Sequence, residues 1–328
     1  MCEILVTTEF FEEQRYLADR LLIEDAGALQ ELNLAIVVPT LNEAKSVGRV
    51  LDEIFEVLKG EKFTVVVVDG RSTDGTDEIA RRKGAKVIYQ RNNGYGDALR
   101  TGFLYARRRL HANVIVMMDA DLTYDAKDIP RLVEPILKGE ADLIVGNRFV
   151  GLQKGAMPFV NRVGNRWLSW FARATLRLKV HDTQCGLRAF RSELVGCLDL
   201  EAEGMPLAIE MLSEAKFARA RIGEVPVTYR GRVGVTKLNP LRDGLRIFGT
   251  IIRLMRDTEP LLFFGAIGFV LGVAGLWLGV DVTLEWFRTG TVGRIPTVML
   301  SVLLMVGAIQ FLALGLVADM IKGLRRRN

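Results

Sequence analysis

The stretch Asn113-Val-Ile-Val-Met-Met118-Asp119-Ala120-Asp121-Leu122 decides how this chain folds. Its first half is an apolar run without polar alternation, the pattern of a strand buried on both faces. Its second half sets two carboxylates one residue apart just past that strand, at the carboxyl edge where open α/β sheets bind ligands. Such acids repel each other unless a hard cation or a set of donors compensates them. A divalent metal gripping a diphosphate would do so; acids that merely cap the following loop would occupy the same positions.

Working outward, strands and helices alternate. Leu34–Val38, Phe63–Val68, Lys86–Tyr89 and Ala141–Val145 read as strands around Asn113–Met118, and Glu43–Leu58, Asp74–Lys83, Gly96–Leu110 and Asp128–Leu137 as helices. This rhythm predicts a largely parallel sheet covered on both faces. Pro39-Thr-Leu-Asn-Glu43 follows the first strand and Val68-Asp-Gly-Arg-Ser-Thr-Asp-Gly-Thr76 the second, so three acid-bearing turns open at one sheet edge. Gly94-Tyr-Gly96 follows the third strand rather than the first and lacks a third glycine, which argues against a dinucleotide-binding fingerprint.

Hydrophobic residues make up 49% of the 328 positions, and the mean hydropathy is +0.20. The excess lies near the C-terminus. Leu261–Val280 carries no charge and, as a helix, would cover roughly 30 Å, one bilayer core. Thr297–Ala318 repeats the feature, with Gln310 its only strongly polar side chain. Arg242, Arg246, Arg253 and Arg256 precede the first span, and Lys322, Arg325, Arg326 and Arg327 follow the second. Arginine and lysine stay on the cytoplasmic side, so the expectation is a multi-pass cell-membrane protein with its catalytic domain facing the cytoplasm. The net charge of +5 suits anionic lipid or phosphate-bearing substrates. No zinc spacing or aromatic RNA-binding signature is present, so nucleic acid is not an expected partner. Cys2, Cys185 and Cys197 are odd in number and lack metal-ligand spacing.

The strand–PTLNE, VVDGRSTDGT and MDADL series, from Leu34 to about Leu254, resembles the inverting family 2 glycosyltransferases, within them the dolichyl/polyprenyl-phosphate sugar synthases. The resemblance implies a GT-A fold, a Rossmann-like α/β nucleotide-diphospho-sugar transferase domain with interface helices, followed by two transmembrane helices. It implies a nucleotide-diphosphate sugar donor, a dolichyl/polyprenyl phosphate acceptor, and Mg²⁺ or Mn²⁺ as cofactor. Pro39, Leu41, Glu43, Val68, Asp69 and Gly70 would line the base and ribose pocket, with Asp119 and Ala120 facing ribose and diphosphate. Asp121 would be the main metal ligand, assisted by Asp119. Two departures stand out: Gly70 replaces a second Asp that contacts the base in many members, and Thr123 replaces a metal-ligating Gln. Ligation by the Thr123 hydroxyl and ligation through a bridging water both stay open.

The second half adds cations. Arg148 ends the fifth strand, and Asn161-Arg-Val-Gly-Asn-Arg166 opens an amphipathic stretch with Trp167, Trp170 and Phe171. Basic residues interleaved with Trp suit a helix at a lipid interface, and an ordinary buried helix fits as well. By the resemblance, Arg148, Asn161 and Asn165 would receive the lipid phosphate, with Arg162 and Arg166 as alternatives. In His181-Asp-Thr-Gln-Cys-Gly-Leu-Arg-Ala-Phe190, Asp182 and Gln184 would touch the donor hexose. Arg230-Gly-Arg-Val-Gly-Val-Thr-Lys-Leu238 resembles a loop that closes over both phosphate groups, giving Arg230, Arg232 and Lys237 phosphate-binding or catalytic roles. Glu210 sits where relatives keep an acid facing the acceptor.

The expected organisation is an amphipathic extension (1–32), the transferase domain (33–239), a juxtamembrane helix (240–258), two spans (259–321) and a basic tail (322–328). Membrane lipids are therefore expected partners; the sequence fixes neither the sugar, the base nor the oligomeric state. No convincing general base stands out, which suits a phosphate nucleophile. Alternatives are a family 2 enzyme that extends a lipid-linked saccharide, with Glu210 or Asp182 as base, and a non-catalytic nucleotide-sugar-binding scaffold.

Overall fold

A computed structural model describes residues 32–233 and 240–325. Residues 1–31 of the expected 1–32 extension, and Lys237, lie outside the described residues. The first unit runs β1 (Leu34–Thr40), α1 (Val47–Val57), β2 (Phe63–Asp69), α2 (Thr76–Arg82), β3 (Lys86–Tyr89), α3 (Tyr95–Arg108) and β4 (Val114–Met117). It continues through α4 (Ile129–Leu137), β5 (Leu143–Leu152), α5 (Phe159–Leu176), β6 (Arg188–Arg191), α6 (Leu207–Phe217) and β7 (Ile222–Tyr229). The strands form one sheet ordered β3-β2-β1-β4-β6-β5-β7. β-Branched residues fill β1 and β2 because both faces of these strands are covered, and Leu34–Val38 and Val65–Val68 are buried accordingly. Helix α1 buries Val47, Val50, Leu51 and Ile54 along one stripe. It begins later than the apolar periodicity suggests, because a turn over Glu43–Ser46 precedes it.

β1 pairs in parallel with β2, Thr40 opposite Asp69, and with β4, Val37 opposite Met117. The three acid-bearing turns therefore leave adjacent strands in the same direction. β6 is the exception to the parallel pattern, running antiparallel to both β4 and β5. Met117 lies opposite Arg188, so the turn that leads into β6 returns to the edge where Asp119 and Asp121 emerge. β5 runs well past the expected Val145, with an irregularity between Asn147 and Gly151 where it meets β7.

Helix α6 carries Glu210 and Glu214 one turn apart. The Glu210 carboxylate accepts the backbone N–H groups of Glu201 (3.1 Å) and Ala202 (2.9 Å). Burial, and then the nearby acids Asp199, Glu210 and Glu201, push the Glu214 carboxyl up to about 7 although it accepts the Asp199 N–H. Between the ordinary value of 4.5 and about 7 the folded chain holds a proton that the unfolded chain releases, so stability falls as pH rises through that window. Glu214→Gln removes this loss. Thermal unfolding of the full chain in detergent should show the variant more stable than the parent at pH 8, by about 2 °C after allowance for solvent screening, with the difference gone at pH 4.5.

The described residues form two compact units, one ending at Thr250 and one starting at Ile251, and α7 (Pro240–Thr258) crosses the boundary. The second unit is a hairpin of α8 (Pro260–Thr289, 30 residues) and α9 (Ile295–Arg325, 31 residues). Both are long and apolar enough to cross a membrane, with 18-residue stretches of mean hydropathy 2.3 and 2.4. Their outward faces are bare: Phe269 is 72% and Trp277 74% exposed. Helix α8 continues through residues expected in the connecting loop and stops at Gly290, whose φ of 69° gives the left-handed turn that ends helices. Arg294 then pairs with Asp281 and Glu285. Glycines bring the two helices close. A side chain at Gly268 would lie 2.8 Å from the Ala308 carbonyl, and the Ser301 hydroxyl donates to the Gly275 carbonyl at 2.7 Å.

Candidate active site

The β1 and β2 turns are laced into one platform. Asp69 is fully buried and accepts from the Thr40 hydroxyl (3.0 Å), the Ser72 N–H (2.7 Å) and the Ser72 hydroxyl (2.6 Å). The Asn42 N–H donates to the Ser72 hydroxyl (2.8 Å), the Thr73 N–H to the Asn42 carbonyl oxygen Oδ1 (2.8 Å), and the Glu43 N–H to Thr76 Oγ1 (2.8 Å). Pro39 and Val68 are buried in the strands below, while Leu41 stands 46% exposed above them. A Cβ at Gly70 would meet Leu41 Cδ1 and the Thr40 carbonyl, each at 3.3 Å.

One strand over, Asp119 accepts from the Tyr95 hydroxyl at 2.8 Å. Its other oxygen faces Gly186, where a Cβ would lie 2.4 Å away; the turn before β6 has to carry glycine at this point. Asp121 accepts from the Thr123 N–H (3.1 Å) and hydroxyl (2.5 Å) through one oxygen, and its second oxygen lies 3.5 Å from Arg232. Ala120 is buried between them. Burial and the charge of Asp121 push the Asp119 carboxyl up to about 6, against the Tyr95 hydrogen bond and the charges of Arg148 and Arg232. The pair is short of positive charge.

The chain after β7 crosses this edge. Tyr229 bridges Tyr124, the Arg230 N–H donates to the Thr123 carbonyl (2.7 Å) and the Val233 N–H to the Asp121 carbonyl (3.1 Å). That backbone ladder places Arg232 between Glu43 (3.0 Å) and Asp121 (3.5 Å), with its Nε buried and without a partner. Arg230 turns away to Glu53 (2.9 Å) and Asp125.

The remaining expected residues have other partners. Arg148 forms a two-pronged pair with Asp182, 2.7 Å from Nε and 2.8 Å from a terminal nitrogen, both side chains buried. Gln184 donates to Thr183 Oγ1 at 3.0 Å. On α5, the Asn165 amide points at Met157 Sδ (3.7 Å), Arg162 lies over the Phe159 ring (5.5 Å) and Arg166 over Phe149 (5.3 Å). Asn161 is half-buried at the start of the same helix. Trp167, Phe171 and Phe248 of α7 pack ring on ring.

The structure thus gathers Glu43, Asp69, Asp119, Asp121 and Arg232 at one edge and holds Arg148 and Asp182 as a pair beside it. Two contributors escaped the sequence. Tyr95 opens α3 and reaches Asp119 across the sheet edge. Arg188 is fully buried and donates to three carbonyls, of Cys185 (2.9 Å), Ala208 (2.7 Å) and Thr183 (2.9 Å). It shapes the turn that carries Gly186. A GYG turn and the arginine of the 182–190 element were the available signals, but neither spells out its contact.

A mixed sheet of this order, with acids clustered where β1, β2 and β4 end, defines a glycosyltransferase domain of the GT-A type. The model of glycosyl transferase family 2 matches residues 35–199, and the chain belongs to that family. It is 33% identical over 301 residues to the glycosyltransferase AglJ of Haloferax volcanii, covering 90% of this chain and 95% of that one. It is 39% identical over 225 residues to a dolichyl-phosphate hexose transferase of the same organism, covering 68% and 93% respectively. A solved structure of glucosyl-3-phosphoglycerate synthase from Mycobacterium tuberculosis, holding Mn²⁺, UDP and glucosyl-3-phosphoglycerate, shares the fold. Its TM-score is 0.55 at 24% identity, over 68% of this chain and 80% of that one.

Proposed function

We propose that the protein is a membrane-bound glycosyltransferase that moves a hexose from a nucleotide-diphosphate sugar to a dolichyl or other polyprenyl phosphate with inversion. The observation that carries this reading is the charge-poor Asp119/Asp121 pair facing Arg232 at the sheet edge. The relative named as a dolichyl-phosphate hexose transferase supports the lipid acceptor, as does the bare apolar hairpin, which we place across the bilayer with the transferase domain on the cytoplasmic side.

The donor set fits a divalent cation such as Mg²⁺ or Mn²⁺: its oxygens are hard, two are carboxylates, and burial together with their mutual repulsion raises Asp119. Asp121 and Asp119 would hold it, with Thr123 next to Asp121 directly or through water. When bound, such a cation supplies neutralisation for the departing nucleoside diphosphate. The chain's own residues do the rest. Glu43, Leu41 and the Asp69 platform position the nucleoside, and Arg232, with Lys237, offsets negative charge where diphosphate and acceptor phosphate meet.

A phosphate monoester has a second pKa of about 6 and is largely ionised at neutral pH, so attack needs positioning more than a base. This favours a phosphate acceptor over a sugar hydroxyl. Of the acids suggested as base, Glu210 serves two backbone N–H groups and Asp182 is paired with Arg148. The test is to incubate membranes containing the protein with nucleotide sugars and polyprenyl phosphates, with and without chelator, and to weigh the lipid product. A hexosyl monophosphate lipid that chelation abolishes is the expected product. A sugar appended to a lipid-linked saccharide, or no turnover with any donor, rejects the reading.

A further inference from the structure

We propose that the side-chain amide of Gln90 reads the N3–O4 edge of a uracil base, so that this chain takes uridine rather than guanosine nucleotides; the inference rests on the donor site proposed above. Gln90 is the first residue beyond β3, and its N–H donates to the Asp69 carbonyl at 3.2 Å. That contact fixes it at the same edge as the Leu41 and Asp69 turns. Only 9% of the residue is exposed, yet among the described residues its amide makes no hydrogen bond. Neither its oxygen nor its nitrogen is among the enclosed unpaired polar atoms of the described residues, so the small exposed part of this largely buried residue includes both polar ends, open to a partner that arrives from outside.

Gly70 supplies the opening. Its φ is not positive, so its backbone conformation is open to other residues and space is the constraint that remains. A Cβ there would sit 3.3 Å from Leu41 Cδ1, 3.3 Å from the Thr40 carbonyl and 3.5 Å from Gln90 Oε1. Glycine thus leaves a gap with an apolar arm, Leu41, on one side and the Gln90 amide on the other. A flat base can lie against the first and meet the second with its edge.

The chemistry of the edge selects the base. A carboxamide offers one acceptor beside one donor, which matches the N3–H and O4 of uracil. Guanine offers the same acceptor–donor pair at O6 and N1–H but adds the 2-amino donor beside it, and the two adjacent donors are satisfied together only by a carboxylate. Asp69, the nearest acid on the platform, already spends both oxygens on Thr40 and Ser72. Guanine would leave its amino group unpaired against Gln90 and would bring a second ring into the gap beneath Leu41.

The experiment uses the full chain in detergent with MgCl₂ and measures binding of UDP, GDP and N3-methyl-UDP by calorimetry, for the parent and for Gln90→Glu and Gln90→Ala. The parent should bind UDP about tenfold or more tighter than GDP, and N3-methylation should cost about tenfold. Gln90→Ala should lose UDP affinity and bind the methylated and plain nucleotides alike, while Gln90→Glu, which keeps an acceptor for N3–H but repels O4, should lose UDP affinity and narrow the gap to GDP. The parent's methyl penalty needs no variant to fold. Tighter binding of GDP, or a methyl penalty unchanged in Gln90→Ala, overturns the assignment of Gln90. If hexosyl phosphate lipid still forms from a nucleotide sugar in that case, the proposed function stands and this inference alone falls. If the parent binds neither nucleotide, both fall.

Discussion

Replacing Asp121 with Ala should lower the rate of lipid-sugar formation by about a thousandfold. The lost carboxylate is the one that faces both Thr123 and Arg232. Its removal takes away the proposed principal oxygen donor for a divalent cation and leaves Arg232, among the described residues, with Glu43 as its ion-pair partner. Burial and the charge of Asp121 together raise Asp119, and the variant relieves the second of these, so the domain should keep or slightly gain stability while activity falls. Parallel measurement of product mass and of urea unfolding separates the two effects. Retention of full turnover would remove Asp121 from the metal site.

The largest stability effect belongs to Arg148→Ala. Its guanidinium and the Asp182 carboxylate are both buried and meet through two short bonds, and Asp182 also accepts the Arg148 and Gln184 backbone N–H groups. Truncating one member strands the other as an uncompensated interior charge, which costs about 3–5 kcal/mol. Replacing both, as in Arg148→Met with Asp182→Leu, should cost much less. Urea unfolding of the full chain in detergent distinguishes these outcomes. Equal losses in the single and double variants would show that the shape of the site matters there and its charge does not. The pair also bears on function: Arg148 lies close enough to Asp119 to act on its ionisation, so a lipid phosphate reaching Arg148 would compete with Asp182 for it.

The parts of this fold that the sequence discloses are those written in continuous apolar runs. The valines of β1 and β2 and the Val114–Met117 run can only be buried strands, and each is followed at once by its acid-bearing turn. β6 is less legible. Arg188-Ala-Phe-Arg191 is short and begins with an arginine that no strand pattern would bury. Its burial depends on three carbonyls brought from separate parts of the chain. Tyr95 is hidden for a related reason, since its contact with Asp119 spans α3 and β4 and needs the sheet order to be known. The helical reach of α8 past Val280 was obscured by composition: Asp281 and Glu285 look like loop residues until Arg294 is seen to neutralise them. The partners of Arg148 and Arg230 belong to the same category, because positive side chains near a phosphate site look alike until their carboxylates are located.

Arg188 has one more consequence. It is a charge in the interior, fully buried, and among the described residues its three hydrogen bonds all go to carbonyls. Counter-ions that erase surface potentials within a Debye length do not reach such a charge. Lysine, with a single ammonium, cannot span three carbonyls set around a planar fork. The turn beneath Asp119 therefore carries a fixed positive field that brine leaves intact, and nucleotide capture should fade with rising ionic strength less steeply than the overall charge of the protein suggests.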